Sequence, residues 1–286
     1  MRASAFLLAF GAVPVVAATP PAPITIGTSY RLPSAALGGE RVVNVVLPAG
    51  YAAHPERRYP VLYLIDGGVD QDLLNIAALV GNGGQWGRSG EAILVGVATV
   101  DRRRELVGPT RDPALLAKYP TAGESARFRT FIRDTVKPWV ARSFRSNGRS
   151  AVIGESLAGL FIVETYLREP GLFDAYAAID PSLWWDGAAL AKGARPALGA
   201  AQRGHPLYLA LAKEELAEPT GSPALLAALG GAGVPLCYAP RPDLGHATIY
   251  QQLAPQALTN VLPPAEPAPA EYGFAVTCAA NPYSSR

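Results

Sequence analysis

Ser156 sits in Gly154-Glu155-Ser156-Leu157-Ala158, between the apolar run Ala151 to Ile153 and a second apolar run that opens at Leu160. A β-branched run that turns at once into a helical pattern places the hydroxyl at a strand-to-helix bend, where a nucleophilic serine belongs. Such a bend needs small residues two before and two after the serine, because strand and helix pass close together. Gly154 and Ala158 meet that need. The bend also sets the N–H of Leu157 at a helix start, aimed at the position of a tetrahedral oxyanion. The competing reading is an ordinary N-cap serine, and the strand before with the helix after argues against it.

A serine hydroxyl needs a base, and the base needs an orienting carboxylate. On a doubly covered α/β sheet these follow the serine in the order acid, then histidine, each at the end of a strand. The chain holds 3 histidines. His54 precedes the serine, and His205 precedes its strand instead of following it. His246, in Asp243-Leu244-Gly245-His246, lies in the turn after the last strand and is the expected base. For the acid, Lys213-Glu214-Glu215 ends a strand between Ser156 and His246. Glu215 is preferred, Glu214 is the close second, and Asp180, at the end of the preceding strand, is the third. A second oxyanion donor is expected from the loop after Val61 to Ile65, where Gly67 and Gly68 permit a close backbone approach, with Gly68 as the chosen N–H.

The elements that must position these groups alternate along the chain. Strands are expected at Glu40 to Leu47, Tyr59 to Ile65, Ala92 to Ala98, Tyr176 to Ile179, Pro206 to Ala212 and Pro235 to Ala239. Helical spacing occurs at Leu73 to Val80, Glu124 to Phe144 with a break at Pro138, Gly187 to Leu198, Ser222 to Leu229 and Ala247 to Leu262. Gly81 to Gly90 reads as a loop. Alternation of this kind predicts an α/β fold with a mostly parallel sheet covered by helices on both faces. No inter-strand segment is long enough for a separate lid, so an open site is expected.

With 286 residues, 49% hydrophobic and 17% charged, the chain can bury a full core as one large domain. A net charge of +2 with scattered basic residues gives no footprint for nucleic acid. Met1-Arg2, the apolar Ala5 to Phe10 run and Val16-Ala17-Ala18 have the three parts of an export signal over 1–18, cleaved after Ala18. The apolar run is too short for a stable membrane anchor, which points to a periplasmic or secreted protein. The domain would then span 19–262, with a Pro-rich linker and tail over 263–286. Cys237 and Cys278 are the 2 cysteines, and in an exported chain they are expected to pair and pin the tail.

Several motifs in order then carry a resemblance over most of the mature chain. Leu47-Pro48 with Gly50-Tyr51, Tyr59 to Gly67, Asp101 to Thr110, Gly154 to Leu160, Leu172-Phe173, Pro181 to Trp185 and His246 are similar to the putative-esterase family of α/β-hydrolases. That family includes siderophore trilactone esterases, feruloyl and acetyl esterases and S-formylglutathione hydrolases. The resemblance implies Ser156 as nucleophile, His246 as base, Glu215 or Glu214 as acid, an oxyanion loop at Asp66-Gly67-Gly68, and no metal or cofactor. Asp180 stands where members often carry Ser, and Ala212 where a Gly often precedes the acid. By the same resemblance Arg102 and Arg104 would contact an anionic substrate. Trp184 and Trp185 would wall the pocket. The expected activity is serine ester hydrolysis on a small-molecule ester. The alternatives are acyl transfer by the same mechanism and a non-catalytic binding protein on a hydrolase scaffold.

Overall fold

A computed structural model of the protein describes residues 22–217 and 220–284. The expected export signal and its cleavage point after Ala18 lie outside the described residues. In chain order the elements are β1 (Thr28–Pro33), β2 (Glu40–Val46), β3 (Tyr59–Ile65), α1 (Leu73–Gln85) and β4 (Ile93–Val97). Next come α2 (Arg102–Glu105), α3 (Pro113–Lys118), α4 (Ser125–Phe131), a π-helical turn (Ile132–Val136) and α5 (Lys137–Ser143). The second half holds β5 (Ser146–Glu155), α6 (Leu157–Arg168), β6 (Ala175–Ile179) and α7 (Trp185–Lys192). It ends with β7 (Leu207–Ala212), α8 (Lys213–Leu216), α9 (Ser222–Gly230), β8 (Leu236–Arg241) and α10 (His246–Val261).

The eight strands form one sheet in the order β1-β2-β4-β3-β5-β6-β7-β8. From β4 to β8 every pairing is parallel, and only the β1-β2 and β2-β4 pairings run antiparallel. This is the α/β-hydrolase arrangement. Parallel strands covered on both faces bury every residue, and β3, β4, β6 and β7 are apolar nearly throughout. Alternate side chains of β3 feed opposite faces. Val61, Tyr63 and Ile65 join the core under α4, α5, α6 and α9, while Leu62 and Leu64 join the core under α1 and α10.

Two expectations about helices change. Gly81 to Gly90 is not all loop, since α1 continues to Gln85 through Gly81, Gly83 and Gly84. Two of these glycines are there for space: a side chain on Gly83 would collide with Ser89, and one on Gly84 would press on Glu91. Pro138 falls in the first turn of α5, where a missing N–H is tolerated, and the π-helical turn before it takes up the change of register. The tail is fastened to the outer strand. Cys237 of β8 and Cys278 form a disulfide with Cα atoms 4.9 Å apart, and Ala279 N–H donates to Tyr238 C=O at 2.7 Å. A closed loop of 41 residues stabilises the folded chain by about 2–4 kcal/mol.

Candidate active site

The site lies where β3, β5 and β6 end. Three non-glycine residues with positive φ stand there, one at each strand end: Asp66 at 60°, Ser156 at 59° and Asp180 at 43°. Each costs about 1–3 kcal/mol, and backbone strain of this kind persists where the surrounding packing fixes it. For Ser156 that packing is visible. A Cβ on Gly154 would lie 2.7 Å from the Ala158 Cβ, and one on Gly159 would lie 3.0 Å from the Ile179 carbonyl. The Ser156 N–H donates to Ile179 C=O at 3.1 Å, so the bend is hydrogen-bonded to the neighbouring strand.

Three side chains from distant parts of the chain meet here. His246 Nε2 is 3.1 Å from Ser156 Oγ, and its Nδ1 is 2.5 Å from Asp180 Oδ2. Asp180 is fully buried, and its Oδ1 accepts the Ala212 N–H at 2.6 Å. With Oδ2 facing the ring, Nδ1 carries the hydrogen and Nε2 is left free to accept the serine proton. The hydrogen bond that Asp180 accepts from the ring is the main reason that the His246 pKa lies above the ordinary imidazole value, with the charges of Asp180, Glu155 and Glu215 acting in the same sense.

Of the three acid candidates it is Asp180, ranked third, that the structure sets against the ring. Glu215, the preferred candidate, is buried but its Oε2 has no hydrogen-bond partner, and it does not reach the imidazole. Burial pushes its carboxyl up to about 8, and repulsion from Asp180 adds to that. Glu214 bonds the other end of the histidine, its Oε2 accepting the His246 backbone N–H at 3.0 Å. It caps the start of α10 and leaves the ring alone. Asp180, at a φ of 43°, is the one of the three whose carboxylate reaches the ring.

The oxyanion loop also differs from expectation. The Gly68 N–H donates to Gln71 Oε1 at 2.8 Å, and Gln71 Nε2 is held in turn by Thr99 Oγ1 at 2.9 Å. The Gly67 N–H is engaged by Val97 C=O at 3.0 Å. Gly68 is thus not an open donor, because the turn folds the Gln71 amide over it. Leu157, the first residue of α6, has an N–H with no intrahelical acceptor and lies beside Ser156. A neighbour that sequence reasoning missed is Ser182, whose buried Oγ is 3.2 Å from Ser156 Oγ. Its signal in the sequence is its place in the Pro181 to Trp185 motif, two residues after Asp180.

An open groove of about 380 Å³ lies over the pair. Its walls are Asp66, Asp70, Gln71 and Asp72 from the turn after β3, Arg102 from α2, and Glu155 next to Ser156. Arg102 is in place, but its Nε is bonded to Asp66 Oδ2 at 2.8 Å. Arg104 points away from the groove and pairs with Glu124 at 2.7 Å. The reason is local: Asp101 caps α2 through the Arg103 and Arg104 N–H groups, which fixes where each arginine projects. The tryptophans are not groove walls either. Trp185 is buried and donates from Nε1 to Gly108 C=O at 3.2 Å, and Trp184 is exposed away from the lining. A larger cavity, about 520 Å³, opens at the opposite end of the strands between Pro60, Arg149, Ala175 and Pro263, far from Ser156.

The family model described as "Putative esterase" matches residues 34–215, more than half of the chain. A ferri-bacillibactin esterase of Bacillus subtilis (strain 168) is 26% identical over 175 residues, covering 56% of this chain and 60% of that protein. A siderophore enterobactin esterase of Emericella nidulans is 34% identical over 90 residues, covering 30% of each chain. The matched stretch thus spans less than two thirds of these curated relatives. Among solved structures, an IroE-like serine hydrolase from Shewanella oneidensis superposes with a TM-score of 0.71 at 25% identity, covering 82% of this chain and 78% of that one. Siderophore hydrolase EstB from Aspergillus nidulans superposes with a TM-score of 0.68 at 21% identity, covering 90% and 99%. The match over residues 34–215 and the strand order together place this chain in the putative-esterase family of α/β-hydrolases.

Proposed function

We propose that the protein is a serine hydrolase of carboxylic esters that works through an acyl-enzyme, with Ser156 as nucleophile, His246 as base and Asp180 as the orienting acid. The observation that carries this reading is the continuous contact from Asp180 through both ring nitrogens of His246 to the Ser156 hydroxyl. Ser156 Oγ attacks the ester carbonyl while its proton moves to His246 Nε2. The carbonyl becomes an oxyanion, which the Leu157 N–H faces. The intermediate then expels the alcohol, which takes the proton from Nε2, and leaves the acyl group on Ser156. Water attacks the acyl-enzyme by the same route and releases the acid. Asp180 remains a carboxylate throughout and stabilises the imidazolium.

The substrate is a small-molecule ester taken up in an open groove. The names of the relatives bring siderophore-type esters to this chain as one class to test, beside aryl and short acyl esters. The chain is read as exported, with residues 1–18 removed, 19–262 catalytic and 263–286 a tail held by the disulfide. Ser156→Ala is expected to lower nitrophenyl-ester turnover by about 10⁴ to 10⁶-fold with an unchanged circular dichroism spectrum. A fluorophosphonate is expected to add to Ser156 in the wild type, read by peptide mass. A wild type that stays unlabelled, or a variant that keeps its turnover, would contradict the reading.

A further inference from the structure

The groove over Ser156 is unevenly charged. Four carboxylates line it, from Asp66, Asp70, Asp72 and Glu155, against the single guanidinium of Arg102. That guanidinium is committed to Asp66, which also accepts from Thr99. The other two arginines of α2 are turned elsewhere, Arg104 onto Glu124 and Arg103 over the Tyr119 ring at 4.7 Å. Asp72 and Glu155 are both half-buried, and neither takes part in an ion pair among the described residues. Burial, and after it the charge of Asp66, pushes the Asp72 carboxyl up to about 6. Burial pushes Glu155 up to about 7, with the charges of Asp72 and Asp180 adding to it and those of His246 and Arg102 opposing it. Above about pH 7 the Asp72 and Glu155 carboxyls are largely ionised, with Arg102 and His246 as the cations that line the same groove, and a net negative field in a partly desolvated groove attracts a cation and repels an anion. The Ser156–His246 pair in the same groove is the independent sign that a ligand comes there.

We propose that the ester cleaved by this chain carries a positive charge near its scissile carbonyl, facing Glu155 and Asp72 while Ser156 attacks, and that anionic esters are excluded. This rests on the acyl-transfer reading above, and it assigns the groove a cationic substrate class.

Three esters of matched size separate the possibilities: butyrylcholine, its uncharged carbon isostere 3,3-dimethylbutyl butyrate, and an alkyl monosuccinate. Binding of each to Ser156→Ala is followed by calorimetry at low salt, and turnover of each is followed with the wild type. The cationic ester is expected to bind at least about tenfold more tightly than the neutral one, with the anionic ester weakest. The ratio should fall toward one as salt is raised. It should also fall in Glu155→Gln and Asp72→Asn, whatever these changes do to the absolute rate. Asp70→Asn, on the exposed rim, gives a smaller fall and serves if the inner variants do not fold. Equal binding of the three esters, or a preference for the anion, would overturn the proposal. Cationic preference in Ser156→Ala with no turnover by the wild type would remove the hydrolase reading and leave only a cation-binding groove, overturning the assignment of a cleaved cationic ester. Turnover of all three at equal efficiency would keep the hydrolase reading and overturn the proposal.

Discussion

The turns after β6 and β7 each offer a buried carboxyl to the same histidine, and only one is used. Asp180, after β6, gives one oxygen to His246 Nδ1 and the other to the Ala212 N–H. Glu215, after β7, is almost as buried, but one of its oxygens has no partner and its pKa stands at about 8. A buried carboxylate is stable when hydrogen bonds replace its lost water, and a carboxyl without them stays protonated. Burial, with the charge of Asp180 beside it, therefore favours the neutral form of Glu215 at neutral pH. Contact with the ring and with the Ala212 N–H is what separates them.

The largest effect that could break this contrast is on catalysis. Asp180→Asn keeps the shape but cannot hold the Nδ1–H tautomer, and kcat/KM is expected to drop about 10³ to 10⁴-fold. Glu215→Gln should change it by less than about fivefold, since the residue it replaces is already uncharged. A larger loss from Glu215→Gln than from Asp180→Asn in ester hydrolysis would reverse the roles.

A smaller effect should appear in the pH dependence. The base must be neutral to accept a proton, and Asp180 raises the His246 pKa. The acid limb of kcat/KM is then expected to lie above pH 6.5, with activity lost as pH falls through it. In Asp180→Asn the residual activity should show that limb displaced to lower pH. In Glu215→Gln the limb should barely move.

The two turns were not equally legible in the sequence. The bend at Ser156 is written locally, in small residues whose spacing must let a strand and a helix touch. His246 follows from chain order once two other histidines are set aside. The acid is different, because β6 and β7 both end in carboxyls. Which one reaches the ring depends on the positive φ at Asp180 and on the Ala212 N–H across the strand gap. Gly68 fails as a donor for a similar reason, since nothing in its neighbourhood announces that the Gln71 amide will fold back onto it. Trp184 and Trp185 show the same limit: adjacent and identical, one is buried and the other is not.

Stability provides a third way to sharpen the contrast. Glu215 has a folded pKa near 8, above the ordinary carboxyl value, so the folded state holds its proton longer than the unfolded chain does. Its contribution is fully present below about pH 4 and is lost as pH rises through 8. Melting temperatures of Glu215→Gln and wild type should therefore coincide near pH 4 and separate in favour of the variant up to about pH 9. A constant difference across that range would mean that Glu215 is ionised in the folded protein. The smallest effect is expected at Ser182, whose hydroxyl touches Ser156 from the β6 turn. Ser182→Ala should reduce kcat/KM by no more than about tenfold, because it removes a neutral hydrogen bond and leaves both ring contacts intact.

The most direct measurement is the proton resonance of His246 Nδ1–H in protein labelled with nitrogen-15 histidine. A strongly downfield signal is expected, shared by the wild type and Glu215→Gln and absent from Asp180→Asn. A signal that survives Asp180→Asn and vanishes in Glu215→Gln would contradict Asp180 as the orienting acid.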